Sequence, residues 1–153
     1  MRIALYQPDI PQNTGTILRM AACLGVGVDL IGPAGFDMSD RAFRRAGLDY
    51  LAHVDIERHE SFTVFCQTRL GGGGSRLVLA TTHGERRFDE FSFAINDVLL
   101  LGRESAGVPE VVHQRADRRI RVPLRPGLRS LNVAVAAAMV AGEALRQTGL
   151  LPR

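Results

Sequence analysis

The sequence contains few residues of the kinds that build metal sites or disulfide frameworks. It has only two cysteines, Cys23 and Cys66, which lie far apart and within apolar patterns. We expect both to be core thiols of a protein from a reducing compartment, because unpaired and buried cysteines persist there. Neither cysteine nor any of the four histidines has a partner at zinc-site spacing. The sequence therefore predicts no metal site.

The chain also lacks the patterns of secreted and membrane proteins. Its N-terminal stretch MRIALYQPDI has no basic region followed by an apolar core and a cleavage site, so it does not form a secretory signal. The longest apolar run, Val133–Ala141, is far shorter than the roughly 20 residues that cross a bilayer. We expect a cytoplasmic protein with no membrane partner.

The net charge of the chain is small. The chain has 153 residues, of which 46% are hydrophobic and 23% charged, and its net charge is +3. These values fit a single globular domain over residues 1–153, and so small an excess permits a polyanionic partner without requiring one. The arginines nevertheless crowd two segments, one with Arg115, Arg118, Arg119, Arg121, Arg125 and Arg129, and one with Arg41, Arg44 and Arg45. Each segment is either a solvated face or a surface for nucleic acid.

The chain does have a regular alternation of short apolar runs and amphipathic stretches. The apolar runs predict strands at residues 2–6, 26–31, 50–54, 76–80, 97–101 and 120–122. The intervening pattern predicts helices at residues 13–24, 40–45 and 60–68, after Pro109, and at 132–147, with Asn13 capping the first helix and Gly25 ending it. Continuous apolar strands that alternate with helices indicate an α/β fold with a mostly parallel sheet.

Three loops that follow predicted strands contain glycine: Thr81–Gly84, Gly102–Gly107 and Pro123–Arg129. In parallel sheets, ligands bind beyond the carboxyl ends of the strands, and glycine allows close approach to the backbone. Ser130 and Asn132 stand where the third loop meets the last helix, whose free N–H groups can hold an anionic or acceptor-rich ligand. The three loops together predict a binding site at this edge without naming its ligand.

Three segments resemble, in chain order, the three motifs of the SpoU branch of the SPOUT RNA methyltransferases. The first is Asn13-Thr14-Gly15 with Arg19, the second is LGRESAGVPE at 101–110, and the third is VPL at 122–124 followed by RSLN at 129–132. The resemblance covers nearly the whole chain. The segments YQPDIPQNTG at 6–15 and RRAGLDY at 44–50 are most similar to the short members that methylate the wobble nucleotide of certain leucine tRNAs.

This resemblance implies a particular fold and assembly. The implied fold is a Rossmann-like, mostly parallel α/β sheet with a deep trefoil knot near the carboxyl end, the SPOUT fold. Knots are very rare among protein folds, so this expectation depends on the resemblance alone. The resemblance also implies a homodimer. The closing helix agrees, because it is apolar nearly all round and one small chain can hardly cover it.

The activity implied by the resemblance is transfer of a methyl group from S-adenosylmethionine to the ribose 2′-hydroxyl of cytidine or uridine 34 in leucine tRNAs. The RNA partner is then the anticodon loop. Two alternatives stay open. One is the same chemistry at another tRNA position or on ribosomal RNA, and the other is a catalytically silent RNA-binding module of the same fold.

The cofactor residues are also implied by the resemblance, which assigns most contacts to backbone groups of the loops. The backbone contacts fall at Ala80, Gly102, Val122 and Ser130. The side chains of Leu101, Leu124 and Leu131 flank the adenine. For the side chains of Leu101 and Val122, core packing is the alternative interpretation.

Arg19 is the residue that the resemblance assigns to catalysis. It lies on the first predicted helix, away from the apolar stripe, so a surface arginine is the alternative. A guanidinium is not expected to lose its proton in a protein. We therefore expect Arg19 to hold phosphate and polarise the 2′-hydroxyl, whose proton leaves to a phosphate or to water.

Four more polar residues are candidates for the active site. Asn13 is either a helix cap or a polar contact near the ribose, and Glu104 is either a solvated turn carboxylate or the residue that locks the second-motif loop. Ser130 and Asn132 either cap the last helix or hydrogen-bond in the active site, and both roles can coexist. Arg129 is expected to face RNA.

Overall fold

The chain forms one sheet whose neighbouring strands are all parallel. The computed structural model describes residues 1–46 and 48–153, so Gly47 of the RRAGLDY segment lies outside the described residues. The sheet has seven strands in the order β3-β2-β1-β6-β4-β7-β5. The strands are β1 Arg2–Tyr6, β2 Gly27–Ile31, β3 Ile56–His59, β4 Arg76–Ala80, β5 Arg86–Arg87, β6 Asp97–Leu101 and β7 Arg118–Arg121. This arrangement confirms the predicted α/β class with a parallel sheet.

Helices cover both faces of this sheet. They are α1 Pro11–Leu24, α2 Asp40–Arg45, α3 Phe62–Phe65, which continues as a π-helical turn over Cys66–Leu70, α4 Glu110–Arg115 and α5 Val133–Thr148. Among the residues described, no helix is both long and apolar enough to cross a membrane.

The alternation of side chains along each strand divides the core into two layers. In β1, Ile3 and Leu5 belong to the cluster that packs against α1 and α5. Ala4 lies between them in sequence and belongs to the opposite cluster, with Phe65 of α3 and Val112 of α4. Because both faces are covered, the central strands β1, β4 and β6 are apolar at every position after their first residue, and this is why they read as continuous apolar runs.

Local sequence signals set several helix ends where the pattern predicts them. Gly25 ends α1 in the left-handed conformation with a φ of 69°, and Gly149 ends α5 with a φ of 70°. The Ser39 hydroxyl accepts a hydrogen bond from the Ala42 N–H at 3.2 Å and so caps α2. The Asn132 side chain caps α5 by accepting from the Ala134 N–H at 2.8 Å.

Several sequence predictions are wrong in detail. Asn13 does not cap α1, because Pro11 already starts the helix with its preset φ and Ile10 stands at the N-cap. The strand predicted at residues 50–54 is absent from that stretch, where Leu51–His53 forms a 3₁₀ turn and β3 begins later. Cys23 is exposed rather than a core thiol, and Cys66 is half-buried.

The carboxyl ends of four central strands meet at one edge of the sheet. Leu5 of β1 is in register with Leu101 of β6, Leu101 with Ala80 of β4, and Ala80 with Ile120 of β7. The loops that leave these strands must therefore emerge side by side. These include the three glycine-containing loops of the sequence analysis, and a ligand site is expected beyond such strand ends.

Candidate active site

A cavity of about 450 Å³ lies at this edge of the sheet, between the loops that leave β4, β6 and β7 and the first turns of α1 and α5. Every predicted cofactor-binding residue lines it: Ala80, Leu101, Gly102, Val122, Ser130 and Leu131. The predicted polar residues Asn13, Glu104 and Asn132 line it as well. The fold thus brings residues from all three motifs to one hollow.

The loop after β6 owes its shape to two glycines. Gly107 has a φ of 63°, and the Arg103 N–H donates to the Gly107 carbonyl at 3.0 Å while the Gly107 N–H donates back at 2.9 Å. A Cβ on Gly102 would stand 2.8 Å from the Gly107 carbonyl carbon, so a side chain there would push the loop out of place. Glycine at 102 is therefore a requirement of this tight turn.

Four polar residues connect the loops around the cavity, and we call Asp9, Asn13, Glu104 and Asn132 the loop network. Glu104 accepts from the Asp9 N–H at 3.1 Å and from the Asn13 amide at 3.4 Å. The Asn13 side-chain oxygen in turn accepts from the Asn132 amide at 2.9 Å. Because the Asn132 oxygen also caps α5, both ends of each asparagine side chain are engaged.

The surroundings of the two carboxyl groups in the loop network shift their pKa values in opposite directions. Burial raises the pKa of Glu104, and its neighbour Asp9 acts in the same direction. Hydrogen bonds from Glu104 and Ser105 lower the pKa of Asp9 to about 2. Asp9 is therefore an ionised acceptor at neutral pH. It is a residue that the sequence analysis missed, although its position between Pro8 and Pro11 marks a rigid turn.

Ser130 differs from the loop network. It lines the cavity and is exposed, and within residues 1–46 and 48–153 its hydroxyl makes no hydrogen bond to protein. Its hydroxyl is therefore available to a ligand, as either donor or acceptor.

Arg19 is the predicted site residue that does not line the cavity. It lies on the exposed side of α1, and its guanidinium carbon stands 4.8 Å from the centre of the Tyr50 ring, a cation–π contact. One turn earlier, a Cβ on Gly15 would meet Leu48 at 3.5 Å. The segment after Gly47 therefore packs on this face of α1, and Arg19 lies outside the cavity on the same helix as Asn13.

A groove of about 770 Å³ adjoins the cavity and shares Thr82, Val122 and Leu124 with it. Its lining includes His83 and four arginines: Arg87, Arg121, Arg125 and Arg129. In the described part of the chain, Arg125 and Arg129 have no carboxylate within 4.0 Å, whereas Arg119 of the same tract pairs with Glu85 at 2.9 Å. The arginine tract thus contains both paired and unpaired arginines. We call the groove lined by Arg87, Arg121, Arg125 and Arg129 the arginine groove.

One group of side chains outside the cavity has a composition that could hold a metal ion, and we call Asp29, Glu57 and His59 the acid cluster. Arg69 donates to Asp29 at 2.9 Å and also contacts Glu57, while Arg2 donates to the other Asp29 oxygen at 2.7 Å. Guanidinium groups thus already occupy the position of a cation. The absence of a metal site stays a prediction.

Comparison with known proteins now identifies the family. Residues 1–142 match the model of the SpoU rRNA Methylase family. The chain belongs to this family.

Relatives of this SpoU family member are similar to it in sequence along nearly its whole length. The chain is 60% identical over 151 residues to the tRNA (cytidine(34)-2'-O)-methyltransferase of Beijerinckia indica, covering 99% of this chain and 94% of the relative. A solved structure that concerns 2-OH methylation of C/U34 on tRNA is 43% identical, with a TM-score of 0.87 and coverage of 95% and 94%.

A second solved SpoU methyltransferase carries its cofactor. It is AviRb from Streptomyces viridochromogenes in complex with AdoMet, with 29% identity and a TM-score of 0.83, and it covers 96% of this chain and 57% of that one. The SpoU fold that surrounds the cavity here is therefore one that binds this methyl donor in a relative.

Proposed function

We propose that the protein transfers a methyl group from S-adenosylmethionine to the ribose 2′-hydroxyl of cytidine or uridine 34 in leucine tRNAs. The observation that supports this function best is the cavity, because residues from three motifs that are distant in sequence line it together. The near full-length similarity to a tRNA (cytidine(34)-2'-O)-methyltransferase supports the choice of nucleotide.

The cavity fits the proposed cofactor in size and in chemistry. Its volume of about 450 Å³ lies within the range of small-ligand sites. Gly102, Ala80 and Val122 line the same hollow, where their backbone groups can offer hydrogen bonds to a ligand. Leu101 and Leu131 give apolar surface for an adenine ring, and the Ser130 hydroxyl supplies a free polar partner.

The loop network suggests how the catalytic assignments divide. S-adenosylmethionine, when bound, supplies an electrophilic methyl group for an in-line displacement. We propose that Asn13, Glu104 and Asn132 position the loops, since their polar atoms are already bonded to one another. Ser130 contacts the ligands directly. This division places rigid support around the reacting atoms, which lowers the entropic part of the barrier.

We propose that Arg19 acts on the RNA and not on the cofactor. Its place outside the cavity supports this role, because the substrate ribose must approach from the open side. A guanidinium keeps its proton, so Arg19 holds a phosphate and polarises the 2′-hydroxyl. The hydroxyl proton then leaves to a phosphate oxygen or to water.

The arginine groove is the proposed contact for the phosphates of the anticodon loop. Among the residues that the structure describes, Arg125 and Arg129 have no carboxylate partner, and the groove adjoins the cavity through shared lining residues. Arginine suits phosphate through paired hydrogen bonds and does not titrate near neutral pH. A nucleotide splayed out of a single-stranded loop could enter the cavity while its neighbours follow the groove.

The proposal includes a homodimer in the cytoplasm, formed by single SPOUT domains over residues 1–153 with a carboxyl-terminal knot. The exposed face of α5 supports the dimer. Val135 and Met139 are 48% and 40% exposed on it, and Leu131 at the cavity is 39% exposed. A second copy would cover this apolar surface. Sedimentation of wild type against Met139→Asp tests the assembly, and a monomeric wild type would exclude it.

The test of the activity is incubation with total tRNA and a labelled methyl donor, followed by nucleotide mapping. We expect label on the 2′-oxygen of nucleotide 34 in leucine tRNAs, and little of it with Ser130→Ala. Label at another tRNA position or on ribosomal RNA would support the first alternative. If S-adenosylmethionine gives no heat in titration calorimetry, the protein is instead a silent RNA-binding module.

A further inference from the structure

Asp9 has the most bonded side chain in the loop between β1 and α1, yet no step of the proposed chemistry uses it. The Asp9 N–H donates to the Glu104 carboxylate at 3.1 Å, and the Glu104 N–H donates to the Asp9 carboxylate at 3.2 Å. The Ser105 hydroxyl donates to the other Asp9 oxygen. Three bonds thus tie the loop after β1 to the loop after β6, 95 residues further along the chain.

The backbone at Asp9 is itself held in place by the loop after β2. Gly35, in the loop after β2, donates its N–H to the Pro8 carbonyl at 3.0 Å. A Cβ on Gly35 would stand 3.1 Å from both the Cα and the Cβ of Asp9, so the two backbones are in close contact. The Asp9 side chain is only 16% exposed. Asp9 is therefore a fixed point to which the loop after β6 is attached.

The attached loop is the one that needs an anchor. It begins and ends in glycine at 102 and 107, and glycine restricts the backbone less than any other residue. The bonds between Arg103 and Gly107 close the turn upon itself but do not connect it to the rest of the protein. Its position over the cavity therefore depends on bonds to other loops. Glu104 and Ser105 bond to Asp9, and the Arg103 side chain donates to Gln7 at 3.5 Å and lies 3.7 Å from the Asp9 carboxylate.

We propose that Asp9 is a positioning residue for the cofactor site, which holds Glu104 and Ser105 so that the Gly102 backbone faces the cavity. This inference rests on the proposed function, since the cavity is taken to bind S-adenosylmethionine. Asp9 is not a catalytic base. Both its oxygens accept hydrogen bonds, and the low pKa of Asp9 makes its carboxylate a weak proton acceptor at neutral pH.

The test compares Asp9→Ala with Asp37→Ala in the full chain. Asp37 is a matched control, because it also accepts a loop N–H, that of Ser39 at 2.8 Å, and it does not line the cavity. In titration calorimetry with S-adenosylmethionine, we expect the Kd of Asp9→Ala to rise about tenfold, as two lost hydrogen bonds imply. Asp37→Ala should keep the wild-type Kd. Equal Kd values for Asp9→Ala and wild type would overturn the proposal.

Two further readouts separate positioning from general stability. Hydrogen exchange of the apo protein should accelerate at residues 103–107 in Asp9→Ala and stay at the wild-type rate in β2. In methylation assays, the KM for the cofactor should rise while kcat at saturating cofactor is kept. A fall in kcat at constant KM, or unchanged exchange of the loop, would contradict the assignment.

Conservative variants complete the test and protect it against misfolding. Asp9→Asn keeps one oxygen to accept from Glu104 N–H, so its Kd should lie between those of wild type and Asp9→Ala. Ser105→Ala removes only one partner and should raise the Kd less. The effects of Ser105→Ala and Asp9→Ala should not add, because both break the same bond; additive effects would refute that link. If the wild type itself binds no S-adenosylmethionine, the proposed function fails, and the exchange measurement still decides whether Asp9 holds the loop.

Discussion

The acid cluster and the loop network are both groups of polar side chains, the first on β2 and β3 and the second on loops and helix starts, and their surroundings differ. In the acid cluster, Asp29 is fully buried, and guanidinium groups contact both of its oxygens. In the loop network, the partners of the Glu104 carboxylate within residues 1–46 and 48–153 are a backbone N–H and an amide, and Glu104 faces a cavity. The first group is neutralised by its own chain, whereas the second keeps space and polar capacity for another molecule.

This difference teaches that composition alone does not distinguish a functional cluster from a structural one. Asp29, Glu57 and His59 have the residue types of a metal or catalytic site, and their ligand atoms lie within 4.8 Å of one another. The positions of the neighbouring guanidinium groups distinguish the two kinds of cluster, because a buried carboxylate that is already paired with a cation is not available to bind a metal ion or a substrate. We therefore expect substitutions in the acid cluster to change stability and substitutions at the cavity to change activity.

The largest effect should come from Asp29→Ala. Removal of this carboxylate leaves Arg2, Arg69 and His59 without their shared partner, and broken buried pairs cost about 3–5 kcal/mol of unfolding free energy. Urea unfolding measures the loss. The control Asp40→Ala breaks an exposed pair with Arg58 and should cost about 0–1 kcal/mol. A large activity loss in folded Asp29→Ala would break the comparison.

Arg19→Ala should have the next largest effect, on activity alone. Loss of a donor that stabilises the transition state lowers the rate by about 100- to 1000-fold. The thermal midpoint should stay near the wild-type value, because Arg19 is exposed and its guanidinium stacks on the Tyr50 ring. Rates on leucine tRNA test this, with Arg146→Ala, a surface arginine paired with Glu143, as the control. Full activity of Arg19→Ala would show that the assignment is wrong.

Asn132 contributes both to stability and to the cavity, so its substitution tests whether the two effects can be separated. Asn132→Ala should cost about 1 kcal/mol through loss of the α5 cap, and it should also weaken cofactor binding through loss of the bond to Asn13. Asn132→Asp keeps the capping oxygen but loses the amide donor. Denaturant unfolding should show that Asn132→Asp recovers the stability, and calorimetry should show that it does not recover the affinity. The opposite pattern would count against the proposed network.

Changes in the arginine groove should have a smaller effect, visible as salt dependence. If Arg125 and Arg129 contact phosphates, each change to alanine should make the slope of log K against log salt less negative by about 0.7. Filter binding of leucine tRNA over a tenfold range of salt measures this slope. Arg146→Ala should leave it unchanged. Slopes equal to wild type in both groove variants would exclude the groove as the RNA contact.

The smallest expected effect concerns acid stability at Asp9. Its pKa is lowered to about 2 by hydrogen bonds from Glu104 and Ser105, so its contribution is complete above the usual value near 4 and is lost as pH falls toward about 2. Unfolding curves of Asp9→Asn should therefore fall less steeply than wild type over this window. Burial raises the pKa of Glu104, so its contribution has the opposite sign and is lost as pH rises. Parallel curves for wild type and Asp9→Asn would contradict the role of Asp9.

The sequence predicted much of the fold because the strands are buried on both faces. In β6, four apolar residues follow Asp97, and a continuous apolar run of this kind between helices favours a strand of a parallel sheet. The segment at residues 50–54 misled the same reasoning, since its apolar residues pack from a 3₁₀ turn against α1. Short apolar runs do not distinguish a strand from a turn that covers a helix.

The site was predicted from short sequence motifs, and residues outside these motifs were therefore missed. Residues of the motifs reach the cavity because their strands end at one edge of the sheet. Asp9 was missed because its role depends on partners such as Glu104, 95 residues away, and no local pattern reveals such a partner. The division of the arginine tract was equally hidden, since Arg119 pairs with Glu85 only in the folded chain.

The N-cap of α5 ties together two surfaces of the molecule. Asn132 lines the cavity, and the helix that it caps carries the exposed Val135 and Met139. A molecule that displaces the Asn132 side chain must also disturb the first turn of that helix. If a second subunit binds there, occupancy of one surface and association at the other are thermodynamically linked, and each must alter the other by the same factor.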